Sequence, residues 1–294
     1  MRKRIVKRII RKANSGGLWE WQEKDKYDIS CVFVFYQRHK LIKNILYCLS
    51  TQDFPKDRME IILVEDRGGS DNTRDLLQGF NTLHISYYAP SNNWRKMGYM
   101  RNYGLSKASG EIVLFLDDDT VILDQYFLKK LQTLFDSDPD LMAVLPKGNP
   151  AYCLIKNHYH YHHPYFFTNR CVAYRRECLV ELRGFDNTFI GQEDVELAIR
   201  FLAKGYKYLN TSELQYYHPP LIVKGLGKAK AVGYSFGCSS YPFLLKCLLA
   251  LNGSRWLYRF IFPSTKNIYM SKFAIGFLLG FFQAFLSKEP PNYV

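Results

Sequence analysis

The chain has 294 residues, 47% of them hydrophobic and 16% aromatic, with a formal net charge of +13. That length suits one large domain, or a domain with an appendage, and the apolar content is enough for a sizeable core. Residues 1–12 hold seven Lys/Arg and no acid, and residues 221–294 hold nine Lys/Arg against the single acid Glu289, leaving −2 for residues 13–220; charge confined to the two ends argues against a nucleic-acid binder and for anchors on an anionic membrane surface.

The first residues, MRKRIVKRIIRK, lack the apolar stretch of a signal peptide. Their Ile and Val positions recur at helical spacing, so the segment reads as a basic amphipathic helix or as a basic tail. Seven cysteines stand at 31, 48, 153, 171, 178, 238 and 247 with no CxxC pair. That pattern excludes a zinc knuckle and favours a reducing compartment over a disulfide framework.

From residue 29 strands and helices alternate. ISCVFVFY (29–36) predicts a buried strand, and 41–49 a helix. Residues 58–65 are a second strand, ending in Glu65-Asp66 and the turn Arg67-Gly68-Gly69. Residues 83–88 are a third strand, 95–108 a helix and 112–116 a fourth, fully apolar strand. The alternation predicts a mainly parallel sheet covered by helices.

The fourth strand runs straight into Asp117-Asp118-Asp119. Three adjoining carboxylates repel one another, and a divalent cation would relieve that repulsion. The alternative is a charged turn with Asp124 capping a helix at 125–135. Ligands in open α/β sheets bind beyond the carboxyl ends of the strands, which is where these acids fall.

A strand is expected at 141–145. His158, His160, His162 and His163 follow among tyrosines, either as a metal site or as a polar, aromatic loop on the substrate side. A strand at 166–174 and a short helix at 175–182 come next. Residues 193–204, EDVELAIRFLAK, form an amphipathic helix closed by Gly205, with Glu193 and Asp194 at its start. Short strands are expected at 206–209 and 214–217, the second leading into His218.

Beyond residue 221 the chain becomes apolar and basic. The longest uninterrupted apolar run, FAIGFLLGFFQAFL, has about 14 residues, short of the ~20 that span a bilayer, so interfacial or re-entrant helices are expected. Gly225-Leu226-Gly227-Lys228-Ala229 is not a phosphate-binding P-loop, since the upstream Gly and the Ser/Thr are missing.

In order, the pieces ISCVFVFYQR, IILVEDRGGSDNT, MRNYGLSKASGEIVLFLDDD, RRECLVELRGFDNTF, GQEDVELAIRFLAKGY and YYHPP resemble the family 2 glycosyltransferases of the GT-A fold, a Rossmann-like sheet covered by helices. The resemblance covers residues 29–218. It implies an inverting transferase that moves a sugar from a nucleotide-diphosphate sugar to a hydroxyl of a glycan or lipid-linked acceptor, with Mn2+ or Mg2+ as cofactor. Carried over residue by residue, it places Phe35, Tyr36 and Arg38 along the nucleotide pocket and Glu65 and Asp66 at the base. In the family that acidic pair is usually two aspartates, and Arg67-Gly68-Gly69 adds a residue to the usual turn. Arg101 and Asn102 fall beside the nucleotide, Asp117 near the ribose with Asp118 adjoining, and Asp119, Asp117 and His218 on the metal. Glu193 and Asp194 fall at the acceptor, with Asp194 as general base.

Three regions are therefore expected: a basic segment at 1–28, a catalytic GT-A domain at 29–220 and a membrane-associated helical region at 221–294. The expected setting is the cytoplasmic face of a membrane, with peripheral or monotopic attachment and a role in polysaccharide synthesis. The competing expectations are a metal-dependent nucleotidyltransferase and a non-catalytic membrane-surface protein on a transferase scaffold.

Overall fold

The computed structural model describes residues 16–17, 27–93, 95–155, 157–223, 225–287 and 289–291. The basic segment expected at 2–12 lies outside them.

Seven strands form one sheet in the order β3-β2-β1-β4-β8-β5-β9. They are β1 (Tyr27–Phe35), β2 (Met59–Glu65), β3 (Ile85–Tyr88), β4 (Gly110–Asp117), β5 (Leu141–Asn149), β8 (Cys171–Arg175) and β9 (Lys207–Tyr217). The three unbroken apolar runs of the sequence became β1, β2 and β4 at the centre, where both faces are covered and alternation is not needed. Their register sets Val34 beside both Val64 and Asp117, and Phe35 beside Glu65, so three strand ends share one edge. Six strands run parallel, and β8 runs antiparallel between β4 and β5.

One face of the sheet buries Ile42, Leu46 and Leu49 of α1 (His39–Ser50) with Phe127, Leu131 and Phe135 of α4 (Phe127–Asp136). The short helix α2 (Asp71–Leu77) follows β2. The other face buries α3 (Met97–Lys107), α5 (Arg176–Glu181) and α6 (Glu193–Lys204) through Met100, Leu105, Leu179, Leu197 and Phe201. Gly104 lets α3 sit against the sheet: a Cβ there would stand 2.7 Å from Val32 and 3.1 Å from Val64.

A second, three-stranded sheet joins β10 (Leu221–Val223) to the hairpin of β6 (Tyr152–Ile155) and β7 (His158–Tyr161). Helices α7 (Gly227–Cys238), α8 (Phe243–Ser254) and α9 (Thr265–Leu286) complete the chain, with a 3-10 segment at Arg255–Ile261. Phe189 and Ala203 pack there with Val232, Phe236, Leu245, Phe277 and Phe281.

Four expectations change in detail. The strand expected from 166 begins at Cys171, which frees 166–170 as a loop. The helix expected from 125 begins at Phe127, because the Asp124 carboxylate takes the Tyr126 amide in a turn before it. The two short strands after 206 are one strand, β9. Its register on β5 jumps at Pro146, which has no N–H to give, and residues 212–214 bulge out. Finally, the 14-residue apolar run extends into a 22-residue helix, α9, because Lys266 and Lys272 interrupt apolarity without breaking helix geometry.

Candidate active site

The shared strand edge opens on a cavity of about 1030 Å³. At its floor the DDD turn is tied on two sides. Arg170 carbonyl oxygen accepts from the Asp117 amide at 3.4 Å and from the Thr120 hydroxyl at 2.5 Å. Val121 and Tyr217 exchange two backbone hydrogen bonds of 2.8 Å, which carries His218 to the carboxylates.

His218 Nε2 lies 2.8 Å from Asp119 Oδ1 and 3.9 Å from Asp117 Oδ2. Ligand atoms of these three residues all fall within 4.8 Å of one another, and no other such group occurs among the described residues. His218 Nδ1 stands 2.7 Å from the Pro219 carbonyl, a partner that can take the Nδ1 proton, and Nε2 is the ring nitrogen that faces the carboxylates. Two hard oxygens and such an imidazole fit a divalent cation of the Mn2+ or Mg2+ kind. The histidine-rich hairpin does not form a metal cluster; His162 and His163 instead line the cavity.

Arg38 Nη1 reaches Asp118 Oδ1 at 2.7 Å and Asp119 Oδ2 at 3.3 Å. Burial pushes the Asp118 carboxyl up to about 6, aided by Asp117 and Asp119 and opposed by Arg38. Burial acts the same way on Asp119, but His218, Arg38 and Arg170 outweigh it and hold that carboxyl below its ordinary value.

Behind this floor a buried arginine bridges two carboxylates, Glu193 buried and Asp117 half-buried. Arg101 donates from Nη2 to Asp117 at 2.6 Å and from Nε to Glu193 at 2.7 Å. Burial alone would lower its pKa; the two carboxylates outweigh it and keep the guanidinium charged. Glu193 also accepts from Asn169 Nδ2 at 3.1 Å, and the Asn169 amide reaches Asp194 Oδ2 at 3.3 Å. Asp194 lines the cavity at the first turn of α6. Burial and the adjoining Glu193 charge push its carboxyl up to about 6, against the pull of Arg101.

The remaining expected residues separate into two groups. Phe35, Tyr36 and Asp66 line the cavity. Arg67 stacks over the Tyr36 ring at 4.2 Å and reaches Asp66 at 3.4 Å, while both Asp66 oxygens accept from the Arg95 amide. Glu65 turns inward, 1% exposed, and accepts from the Thr73 hydroxyl, the Ser70 amide and the Tyr87 hydroxyl. Asn102 is fully buried away from the cavity. It clasps Phe185, donating to its carbonyl at 2.7 Å and accepting from its amide at 2.8 Å.

Sequence reasoning passed over four cavity cations, Arg67, Arg95, Arg170 and Lys228. Burial and Arg170 push the Lys228 pKa down, offset in part by Asp194, Asp117 and Glu193. The wall thus carries six acids and six Lys/Arg, so it offers places for a cation and for a polyanion together. Pro290 and Pro291, beyond α9, also line it.

The family model for glycosyl transferase family 2 matches residues 30–183. The O-antigen chain rhamnosyltransferase RfbN of Salmonella typhimurium is 26% identical, over 86% of this chain and 89% of that protein. Poly(ribitol-phosphate) beta-N-acetylglucosaminyltransferase TarS of Staphylococcus aureus is 29% identical over 40% of this chain, a match spanning 21% of that protein. Its structure with UDP-GlcNAc superposes with a TM-score of 0.57 at 19% identity, covering 87% of this chain and 81% of that one. The mannosyltransferase PcManGT of Pyrobaculum calidifontis, solved with GDP-Man and Mn2+, superposes with a TM-score of 0.60 at 16% identity, over 97% and 99%. The fold is shared with both structures, and with more than half of its residues matched by the family model the chain belongs to glycosyl transferase family 2 and is a glycosyltransferase.

Proposed function

We propose that the chain transfers a sugar from a nucleotide-diphosphate sugar to a hydroxyl of a glycan or lipid-linked acceptor, with inversion at the anomeric carbon. The observation that carries this reading is one cavity holding the Asp117, Asp119 and His218 cluster, Asp194 and a set of cations. The nucleotide sugars bound by the TarS and PcManGT structures support the donor class.

Tyr36, Arg67 and Asp66 form the side of the cavity suited to the base, with a flat ring, a stacked guanidinium and an acceptor. Asp117, Asp119 and His218 would hold a divalent cation, which when bound neutralises charge on the diphosphate. Arg170 and Lys228, which line the same cavity, complement the same diphosphate. The acceptor oxygen attacks the anomeric carbon as the bond to the diphosphate oxygen breaks. The hydroxyl proton passes to Asp194, and the bonding electron pair leaves with the diphosphate. Glu193, held by Arg101 and Asn169, fixes the first turn of α6 and keeps the Asp194 carboxyl basic.

Along the chain, residues 29–220 carry this chemistry, with Lys228 added from the region beyond. The basic start, 1–28, and residues 221–294 serve attachment to the cytoplasmic face of a membrane, as a peripheral or monotopic protein. The charge at both ends and the exposed apolar side chains of the last helices support that setting. The test is incubation of the full chain with a panel of nucleotide sugars and Mn2+ or Mg2+, with mass-spectrometric detection of released nucleoside diphosphate. Release from one donor, quickened by an acceptor glycan, is expected; no release from any donor overturns the reading.

A further inference from the structure

By length and composition α9 could cross a membrane. Its 22 residues extend about 33 Å at ~1.5 Å per residue. Its packing says otherwise. Gly276 and Gly280 on α9 pack against Ala229 and Lys230, Gly233 and Gly237 on α7 pack against Phe277 and Phe281, and the two backbones touch. A Cβ on Gly233 would stand 1.9 Å from the Phe277 carbonyl oxygen, and one on Gly280 1.9 Å from that of Lys230. Ala274, Phe277 and Phe281 are buried on the same side of α9.

α7 is in turn fastened to the catalytic body. Ser235 Oγ accepts from the Ile190 amide at 3.2 Å, and Phe236 packs edge-on against Phe189. Just past α7, Tyr241 donates to Glu196, whose carboxylate is fully buried in an ion pair with Arg200. Moving α9 into a bilayer would either give up the close packing of the glycine seam or drag α7 and this polar anchor toward hydrocarbon, where buried charge is costly.

The opposite side of α9 is apolar and open. Ile275, Leu279, Phe282 and Leu286, spaced four, three and four apart, form one exposed stripe along the helix. Lys272, three residues before it, is exposed as well. The 3-10 segment packed against α9 adds Tyr258 and Ile261 to the exposed apolar surface, and Phe262 follows just past it. There Arg255 and Arg259 flank the Trp256 ring at 4.6 and 4.3 Å. Cations beside exposed aliphatic and aromatic side chains, in a region with one acid, suit an anionic lipid surface.

We infer that α9 lies along an anionic membrane surface without crossing it, with the stripe from Ile275 to Leu286 seated among the lipids. The inference rests on the membrane reading given above and deepens it: the helix that resembles a span by hydropathy is an in-plane float welded to the catalytic body.

The test uses the full chain and vesicles of phosphatidylcholine with phosphatidylglycerol. The protein should float with them, more weakly at high salt, and should pass to a second vesicle population added later. Leu279→Glu with Phe282→Glu should lower partitioning roughly tenfold or more while the thermal melt and donor turnover in solution stay unchanged. Leu286→Glu, at the helix end, should act the same way with less effect. Undiminished flotation of these variants overturns the inference and leaves other elements as the anchor. Failure of bound protein to exchange between vesicles also overturns it, in favour of a span. Vesicle-free self-association that the variants abolish overturns it too, in favour of a second copy on this face. If the wild-type chain never floats, the membrane reading falls with it, while donor turnover still stands or falls separately.

Discussion

Arg101 Nε and Glu193 Oε1 meet at 2.7 Å with both side chains at most 5% exposed. The same guanidinium holds Asp117, so one buried cation ties the metal-side turn to the first turn of α6. Removing one member of a buried ion set leaves the others uncompensated, at a cost of about 3–5 kcal/mol.

Arg101→Met should therefore destabilise the fold by about 3–5 kcal/mol in denaturant titrations and abolish turnover. Arg101→Lys keeps the charge but cannot donate in a fork, so it should recover part of the stability and little of the activity. Wild-type stability in Arg101→Met would show that the triad does not hold the site together.

Cation binding is separable from turnover. Asp119→Ala should lose calorimetric binding of Mn2+ with the melting profile kept. His218→Ala should weaken binding more mildly, since two carboxylates remain. Equal Mn2+ affinity in Asp119→Ala and wild type would remove the cluster as the cation site.

Asp194 sets the acid side of the pH profile. A base accepts a proton only as carboxylate, and burial with the Glu193 charge pushes this carboxyl up to about 6, so turnover should rise with pH through that region and then level. Asp194→Asn should lower turnover roughly 10²–10⁴-fold with donor affinity retained. Glu193→Gln removes a charge that raises Asp194, so the acid limb of whatever activity survives should move to lower pH. An unmoved limb means another group is titrating.

Asn102 should behave as a structural residue. Asn102→Ala strips both partners from the buried Phe185 backbone, at a cost of about 1–3 kcal/mol. At a temperature where the variant stays folded, the donor dissociation constant should match wild type. A weakened donor with unchanged stability would return Asn102 to the nucleotide site.

The sheet was legible because its central strands are buried on both faces, which leaves an unbroken apolar run for each. The DDD turn and the 193–204 helix were legible from chemistry and from period. Direction was harder. Glu65 and Asp66 are adjacent acids at a strand end, and alternation sends one inward and the other to the cavity, so of the pair Asp66 alone lines it. Asn102 follows Arg101 on a helix and therefore points elsewhere. Arg170 and Lys228 carry no local pattern; the antiparallel β8 and the entry to α7 bring them to the cavity from distant sequence. The 14-residue apolar run gave no warning that glycines four apart would lock α9 onto α7.

β8 reverses the direction of the sheet, and this has a consequence for how such a protein can change. Its entry, not its exit, faces the cavity, so everything between β5 and β8 is a single excursion that leaves and returns at the reaction edge. Chain can be added to or removed from that excursion without shifting the register of any central strand. The histidine hairpin and the stretch at 162–167 are thus open to remodelling, while Asn169 and Arg170, which hold Glu193 and the DDD turn, and the edge built on β1, β2 and β4 stay the same.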